Sequence, residues 1–235
     1  MNNEEISREF AKLSTAIVAD ACLRLGVQLQ IPLPGVVPLC PGLKAAGRIL
    51  PLRHFGSVDV FLEAMVDAEK GDILVIDNDG RMDEGCIGDL TVLEAQLAGI
   101  GGIIINGCHR DTTELVKIGF PVFSYGTFPA GPLRPGRRHP GAQQLTKFAK
   151  FVQYRQDYVL ADDDGVMFIP DSRSQEIIET ANQIYTTERQ QAEKIKAGIS
   201  LREQIKFDEY LQEREKNFEY TFRKHLRKLG GAIEE

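Results

Sequence analysis

Residues 89–111 read DLTVLEAQLAGIGGIIINGCHRD, and this stretch decides the fold class of the chain. From Asp89 to Ala98 an acidic start precedes apolar residues at helical spacing, which predicts a helix that Gly99 ends. Ile103, Ile104 and Ile105 are an unbroken β-branched run of the length of a short buried strand. Gly107 then releases the backbone, so Arg110 and Asp111 emerge at the strand's carboxyl end. An Asp at a helix start and an Arg-Asp pair after the next strand can meet at one edge, although twenty residues separate Asp89 from Arg110.

These residue types carry a definite chemistry. Carboxylates and water suit a hard divalent ion such as Mg²⁺, which takes one or two protein carboxylates and keeps several waters. Arg110 offers a planar fork that matches a substrate carboxylate in two parallel hydrogen bonds. A helix amino terminus at Asp89 leaves N–H groups unpaired, and Gly85 and Gly88 let the backbone around Gly88, Asp89 and Leu90 approach an anion. Together these parts would hold a 2-oxo acid. On residues alone a second reading stands beside it, in which Asp89 only caps a helix and Arg110 with Asp111 is a surface ion pair.

Outward from this stretch, Ser14 or Thr15 caps a helix with apolar positions at Ile17, Val18, Ala21, Cys22 and Leu25, and Gly26 stops it. Residues 28–42 are rich in Pro and Gly and predict loops around short strands, and LKAAGRILPLRH after them alternates as a strand. Val60 to Lys70 predicts a helix and Ile73 to Ile76 an interior strand, after which Asp77-Asn78-Asp79-Gly80 is expected to turn the chain back. Asp77 and Asp79 have the spacing of a calcium-loop start, but its twelfth position is Gly88 rather than an acid.

Gly119 to Phe123 predicts another strand, and Val159–Ala161 with Val166–Ile169 flanks the acidic turn Asp162-Asp163-Asp164-Gly165 as a hairpin. Those acids are expected to support turns or subunit contacts. Ser172 to Lys196 predicts a long helix that Gly198 breaks, and the capping box Ser200-Leu201-Arg202-Glu203 opens a second one to about Leu229. Its irregular apolar stripe predicts an arm packed on a neighbouring subunit. Strands alternating with helices give the α/β class, with one domain over 1–196 and a helical extension over 197–235.

Composition bounds the function. With 43% apolar residues the chain has enough for a proper core, yet no stretch has eighteen uninterrupted apolar residues, so no membrane span is expected. The acidic start Met1-Asn2-Asn3-Glu4-Glu5 lacks an apolar signal region, and a cytoplasmic protein is expected. A net charge of -6 argues against nucleic-acid binding. The basic cluster Arg134, Arg137, Arg138 and His139 lacks interleaved aromatics and reads as a solvated loop or subunit contact. Cys22, Cys40, Cys86 and Cys108 have no two-residue spacing and read as reduced thiols. Cys108 and His109, as strand neighbours, point to opposite faces and predict no catalytic pair.

The order GDILVID, Gly88-Asp89-Leu90, AGIGGIIINGCHRD, GFPVFSYGTFPAGP and ADDDGVMFIP, over about residues 10–195, resembles the RraA-like family. That family includes divalent-metal-dependent 4-hydroxy-4-methyl-2-oxoglutarate / 4-carboxy-4-hydroxy-2-oxoadipate aldolases and also regulators of ribonuclease E. The resemblance implies a compact sandwich or barrel-like β core flanked by helices, assembled as a trimer or hexamer. It implies a class II pyruvate aldolase with Mg²⁺ or Mn²⁺, in which Asp111 ligates the metal, Asp89 holds a water on it, and Arg110 binds the pyruvyl carboxylate. Oxaloacetate decarboxylation is the related activity it implies. A Glu from a neighbouring subunit's C-terminal helix completes such sites, and Glu188, with Glu193 second, is the candidate. A non-catalytic scaffold binding an RNA-processing enzyme is the alternative function. A methyltransferase is disfavoured, since Gly99-Ile100-Gly101-Gly102 precedes a strand rather than opening a helix. The chain departs from the family where Arg155-Gln156-Asp157 replaces a Pro-Gly-Asp turn and where RPGRRHPGAQQ is unusually basic, both of which bear on substrate identity.

Overall fold

In the computed structural model, which describes residues 1–32, 34–133, 136–148 and 150–229, the chain begins with α1 (Asn3–Phe10), α2 (Thr15–Arg24), β1 (Val37–Pro38) and β2 (Ala45–Arg53). There follow α3 (Asp59–Val66), β3 (Ile73–Ile87), α4 (Asp89–Leu97), β4 (Gly102–His109), α5 (Thr112–Ile118) and β5 (Val122–Ser124). The hairpin β6 (Leu145–Phe148) and β7 (Phe151–Tyr154) precedes β8 (Tyr158–Asp162), β9 (Gly165–Ile169) and α6 (Asp171–Lys196). The tail carries α7 (Leu201–Gln204), α8 (Phe207–Lys216) and α9 (Phe222–Leu229).

Strands β2 to β5 pair in parallel, joined by helical crossovers, and the described sheet has the order β1-β5-β4-β3-β2-β8-β9. It curls until its edges nearly meet. Strand β1 lies beside β9, and the Phe168 N–H donates to the Gln30 carbonyl at 2.9 Å. Period-two alternation sorts the two faces. Ile49, Ile73, Val75, Ile104, Phe123 and Phe168 fill the interior of this barrel-like sheet. Their neighbours Leu50, Leu74, Ile76, Ile103, Ile105 and Val122 face outward under α3, α4 and α5. Around the other side Leu160, Met167 and Ile169 meet α1, α2 and α6 through Ile6, Val18 and Ile177. Each fully buried side chain of this kind contributes about 1.5–3 kcal/mol.

The acidic hairpin turn forms as the sequence predicts, and two of its acids, Asp162 and Asp163, are spent inside the chain. Asp162 accepts from the Thr15 N–H at 2.8 Å and the Thr15 hydroxyl at 2.6 Å, and Asp163 accepts from the Gly42 N–H. Asp157 caps its own turn through the Tyr154 N–H. Partial burial still holds its carboxyl above the usual range, with that hydrogen bond opposing the shift.

At Asp77-Asn78-Asp79-Gly80 the chain does not turn back. Asp79 and Gly80 take left-handed backbone, with φ of 57° and 65°, but the extra residues bulge out and β3 rejoins β4 after successive register shifts as far as Ile87. Asp77 is engaged by the Arg53 Nε at 3.1 Å and the Asp79 N–H at 2.9 Å. Asp77 thus sits within β3, which runs through to Ile87, rather than opening a twelve-residue loop.

The single helix expected from Ser200 to about Leu229 is instead three short ones. The Ser200–Glu203 capping box forms, yet Lys206 enters left-handed backbone at φ 49°. Folding back gathers Phe207, Tyr210, Tyr220, Phe222 and His225, with the Tyr210 and Phe222 rings 5.0 Å apart. His225 also bonds the Ile205 carbonyl at 2.8 Å. The aromatic stripe is too irregular for one straight face, and bending lets it bury itself. Phe218 alone of these aromatics stays 91% exposed.

Phe123 is fully buried inside the barrel, so Phe123→Ala should cost about 3–5 kcal/mol. A thermal melt should show Tm lower by roughly 6–20 °C.

Candidate active site

The bulged end of β3 and the end of β4 deliver the charged residues to one rim. Ile87 lies opposite His109 in the parallel register, and the Arg110 N–H donates to the Ile87 carbonyl at 2.9 Å. Gly88 and Asp89, next along β3's path, therefore stand beside Arg110 and Asp111. The Asp111 Oδ2 lies 3.4 Å from the Asp89 N–H and 3.6 Å from the Arg110 Nε. Asp89 Oδ1 accepts from the Leu90 N–H at 2.8 Å, within the first turn of α4. The structure thus brings Gly88, Asp89, Leu90, Arg110 and Asp111 together as the sequence predicts.

Asp111 takes left-handed backbone (φ 59°, ψ 35°) at the N-cap of α5 and makes no capping bond to its own helix. Such a conformation costs on the order of 1 kcal/mol even for Asp. Its effect is to aim the carboxylate away from α5 and at the start of α4. Gly88 leaves the necessary room, since a Cβ there would lie 2.1 Å from Asp111 Oδ2. Gly131 does the same for the guanidinium, 2.9 Å from Arg110 Nη1 by the same construction. Gly85 is buried, and its N–H donates to the Ala130 carbonyl at 2.9 Å. It serves the site by letting the 128–131 segment close on Arg110 rather than by offering its N–H.

Both charged side chains remain accessible, Arg110 at 46% and Asp111 at 40%. A rim with one open guanidinium, one carboxylate pointed outward and a helix amino terminus can bind a small anionic oxo acid and a hard cation. Glu188 lies on α6, partly exposed beside Arg189, and no described contact links it to this rim. Glu193 pairs with Lys196. Cys108 approaches Met82 while His109 faces Ser124 and Thr112, so these neighbours do point apart. Burial pushes the Cys108 thiol up and the His109 imidazole down from their ordinary values. The described cysteines are free.

Arg137, Arg138 and His139 lie in an exposed loop, as the sequence predicts, where Arg138 pairs with Glu63 at 2.7 Å and His139 stacks on Phe55. Arg134 of that cluster lies outside the described residues.

A family model described as RraA-like, Aldolase/RraA, matches residues 15–168. The chain belongs to the RraA-like family. A Laribacter hongkongensis relative named "Putative 4-hydroxy-4-methyl-2-oxoglutarate aldolase" is 30% identical over 156 residues, covering 66% of this chain and 96% of the relative. Among solved structures, a Pseudomonas syringae pv. tomato protein superposes with TM-score 0.70 at 25% identity, covering 83% of this chain and 93% of its own. RraAS2 of Streptomyces coelicolor, described as an unusual member of the RNase ES inhibitor RraA protein family, does so with TM-score 0.67 at 28% identity, over 77% and 92%. Among the described residues no helix is long and apolar enough to cross a membrane.

Sequence reasoning missed the roles of Gly131 and the left-handed backbone at Asp111, for which no local signal exists. Gly88→Ala should displace the Asp111 carboxylate while the core stays folded. Near-wild-type Tm with at least about a hundredfold loss of any activity routed through Asp111 is expected, an effect the size of losing one positioned catalytic group.

Proposed function

We propose that the chain is a divalent-metal-dependent class II pyruvate aldolase, cleaving 4-hydroxy-2-oxo acids and decarboxylating oxaloacetate as a related activity. The observation that carries the reading is the outward-aimed Asp111 carboxylate beside Arg110 and the start of α4. The donor set fits Mg²⁺ or Mn²⁺. The half-exposed Asp111 carboxylate with Asp89 beside it supplies the one or two protein carboxylates that such an ion takes. Asp111 would hold it directly, with Asp89 behind a water. When bound, it would act as a Lewis acid toward the 2-oxo group.

Arg110 binds the pyruvyl carboxylate through its fork and steadies negative charge as it grows on the 2-oxo oxygen. The Asp89 and Leu90 N–H groups face the Asp111 and Asp89 carboxylates, so the start of α4 holds those two acids in place beside the substrate. A water oriented by Asp89 carries the 4-hydroxyl proton to the Asp89 carboxylate. The C3–C4 bond then breaks, its electron pair entering the pyruvate enolate while C4 becomes a carbonyl. Return of the proton to C3 gives pyruvate. Loss of CO₂ from oxaloacetate leaves the bond's electron pair on C3 as the same enolate.

The reading includes a homo-oligomer, a trimer or hexamer, in which Glu188 reaches a neighbour's rim. Exposed Leu62, Val66, Leu90, Leu93 and Leu97 on α3 and α4 support it, since apolar faces beside a site ask for cover. The likeness to RraAS2 favours, as a second reading, a scaffold that binds an RNA-processing enzyme.

Purified protein with Mg²⁺ or Mn²⁺ should release pyruvate from 4-hydroxy-2-oxo acids or oxaloacetate, and a chelator should stop it. Asp111→Ala should abolish that turnover with the fold intact; metal-independent turnover in this variant overturns the mechanism, and no turnover by the wild type favours the scaffold. Arg110→Lys keeps the charge without the fork and should weaken oxalate inhibition about ten- to a hundredfold, or about 1.5–3 kcal/mol.

A further inference from the structure

A row of side chains runs behind Asp111 from the surface into the core. The Thr127 and Thr112 hydroxyls are 3.0 Å apart, Thr112 lies 3.1 Å from His109 Nε2, and His109 Nδ1 lies 2.8 Å from Ser124 Oγ. Ser124 and His109 are buried and Thr127 is exposed. Ser124 Oγ also accepts from the Gly126 N–H and donates to the Gly126 carbonyl, both at 3.1 Å. Each hydroxyl has one proton to give. If Ser124 gives its proton to Gly126, His109 must donate from Nδ1, accept from Thr112 at Nε2, and leave Thr112 to accept from Thr127. In the opposite direction Thr112 donates to Thr127, and the Gly126 carbonyl keeps the His109 N–H at 3.0 Å. The row is therefore satisfied in either direction, and its members stay linked in both.

Thr112 is the first residue of α5, immediately after the left-handed Asp111. We propose that the Thr127–Thr112–His109–Ser124 row is a positioning device that holds the start of α5 against β4 and β5 and so keeps Asp111 in its left-handed conformation, carboxylate turned to Gly88 and Asp89. The role of the row is local geometry, not proton transfer to substrate. Its consequence for metal binding rests on the reading of Asp111 as the ligand, while its consequence for the backbone does not.

Two variants separate a hydroxyl effect from a packing effect: Thr112→Val removes the hydrogen bonds at nearly constant shape, and Thr112→Ser keeps them. Hydrogen exchange reads the backbone without metal, through the Glu114 and Leu115 N–H groups, which bond the Asp111 carbonyl at 2.9 and 3.0 Å. Thr112→Val should speed exchange at both on the order of tenfold, with Tm within a few degrees of wild type, and Thr112→Ser should restore it. Unchanged exchange in Thr112→Val, or equal acceleration in both variants, overturns the proposal. Mn²⁺ binding, followed by electron paramagnetic resonance, should weaken about ten- to a hundredfold in Thr112→Val and be lost in Asp111→Ala. Faster exchange in Thr112→Val together with Mn²⁺ binding unaffected by Asp111→Ala upholds the device and overturns the metal reading instead.

Discussion

The parallel pairing of β3 with β4 is the constraint on which the site depends. From Ile73 opposite Gly102 to Asp77 opposite Asn106 the register is regular, and only after the bulges does Ile87 come opposite His109. The irregularity is what places Gly88 and Asp89 level with Arg110 and Asp111. A regular strand of the same length would carry Asp89 well past the end of β4, since each residue adds about 3.3 Å. The bulged segment therefore sets the distance between the helix amino terminus and the Arg-Asp pair.

Stability and chemistry are kept on different parts of the sheet. The interior and outer faces bury apolar side chains almost completely, and that burial supports a rim where several local rules are broken. Asp111 is left-handed and caps nothing, Gly88 begins α4 without a capping side chain, and two charges stand half open. Each break costs little beside the core. Each also brings a charged group or an N–H toward the same small volume.

The tail follows a separate logic. Its aromatic residues are spaced too unevenly for a straight helix to hide, so the chain bends at Lys206 and around residues 217–221 and covers them with one another. Beside the rim, Leu62 and Val66 of α3 and Leu90, Leu93 and Leu97 of α4 remain exposed. The exposed leucines there, rather than the tail aromatics, form the face that asks for a neighbour.

The sequence by itself determined the α/β class, the helix from Asp89, the strand at Ile103–Ile105, the acidic hairpin and the meeting of Asp89 with Arg110 and Asp111. All of these rest on short-range signals: apolar period, capping residues, β-branched runs and glycine punctuation. The helix α1 carries a local signal, the Asn2–Glu5 capping box with Ile6 and Phe10 on its buried face, whereas the hairpin β6–β7 is decided by its packing on β2 and β3 across the chain. The continuation of β3 past Gly80 was hidden for the same reason, as its residues look like a turn and only the waiting edge of β4 makes them a bulge. Tertiary structure alone decided the closing of the sheet, the folding of the tail on itself and the left-handed aim of Asp111. Each is fixed by partners many residues away, and local pattern carries no record of them.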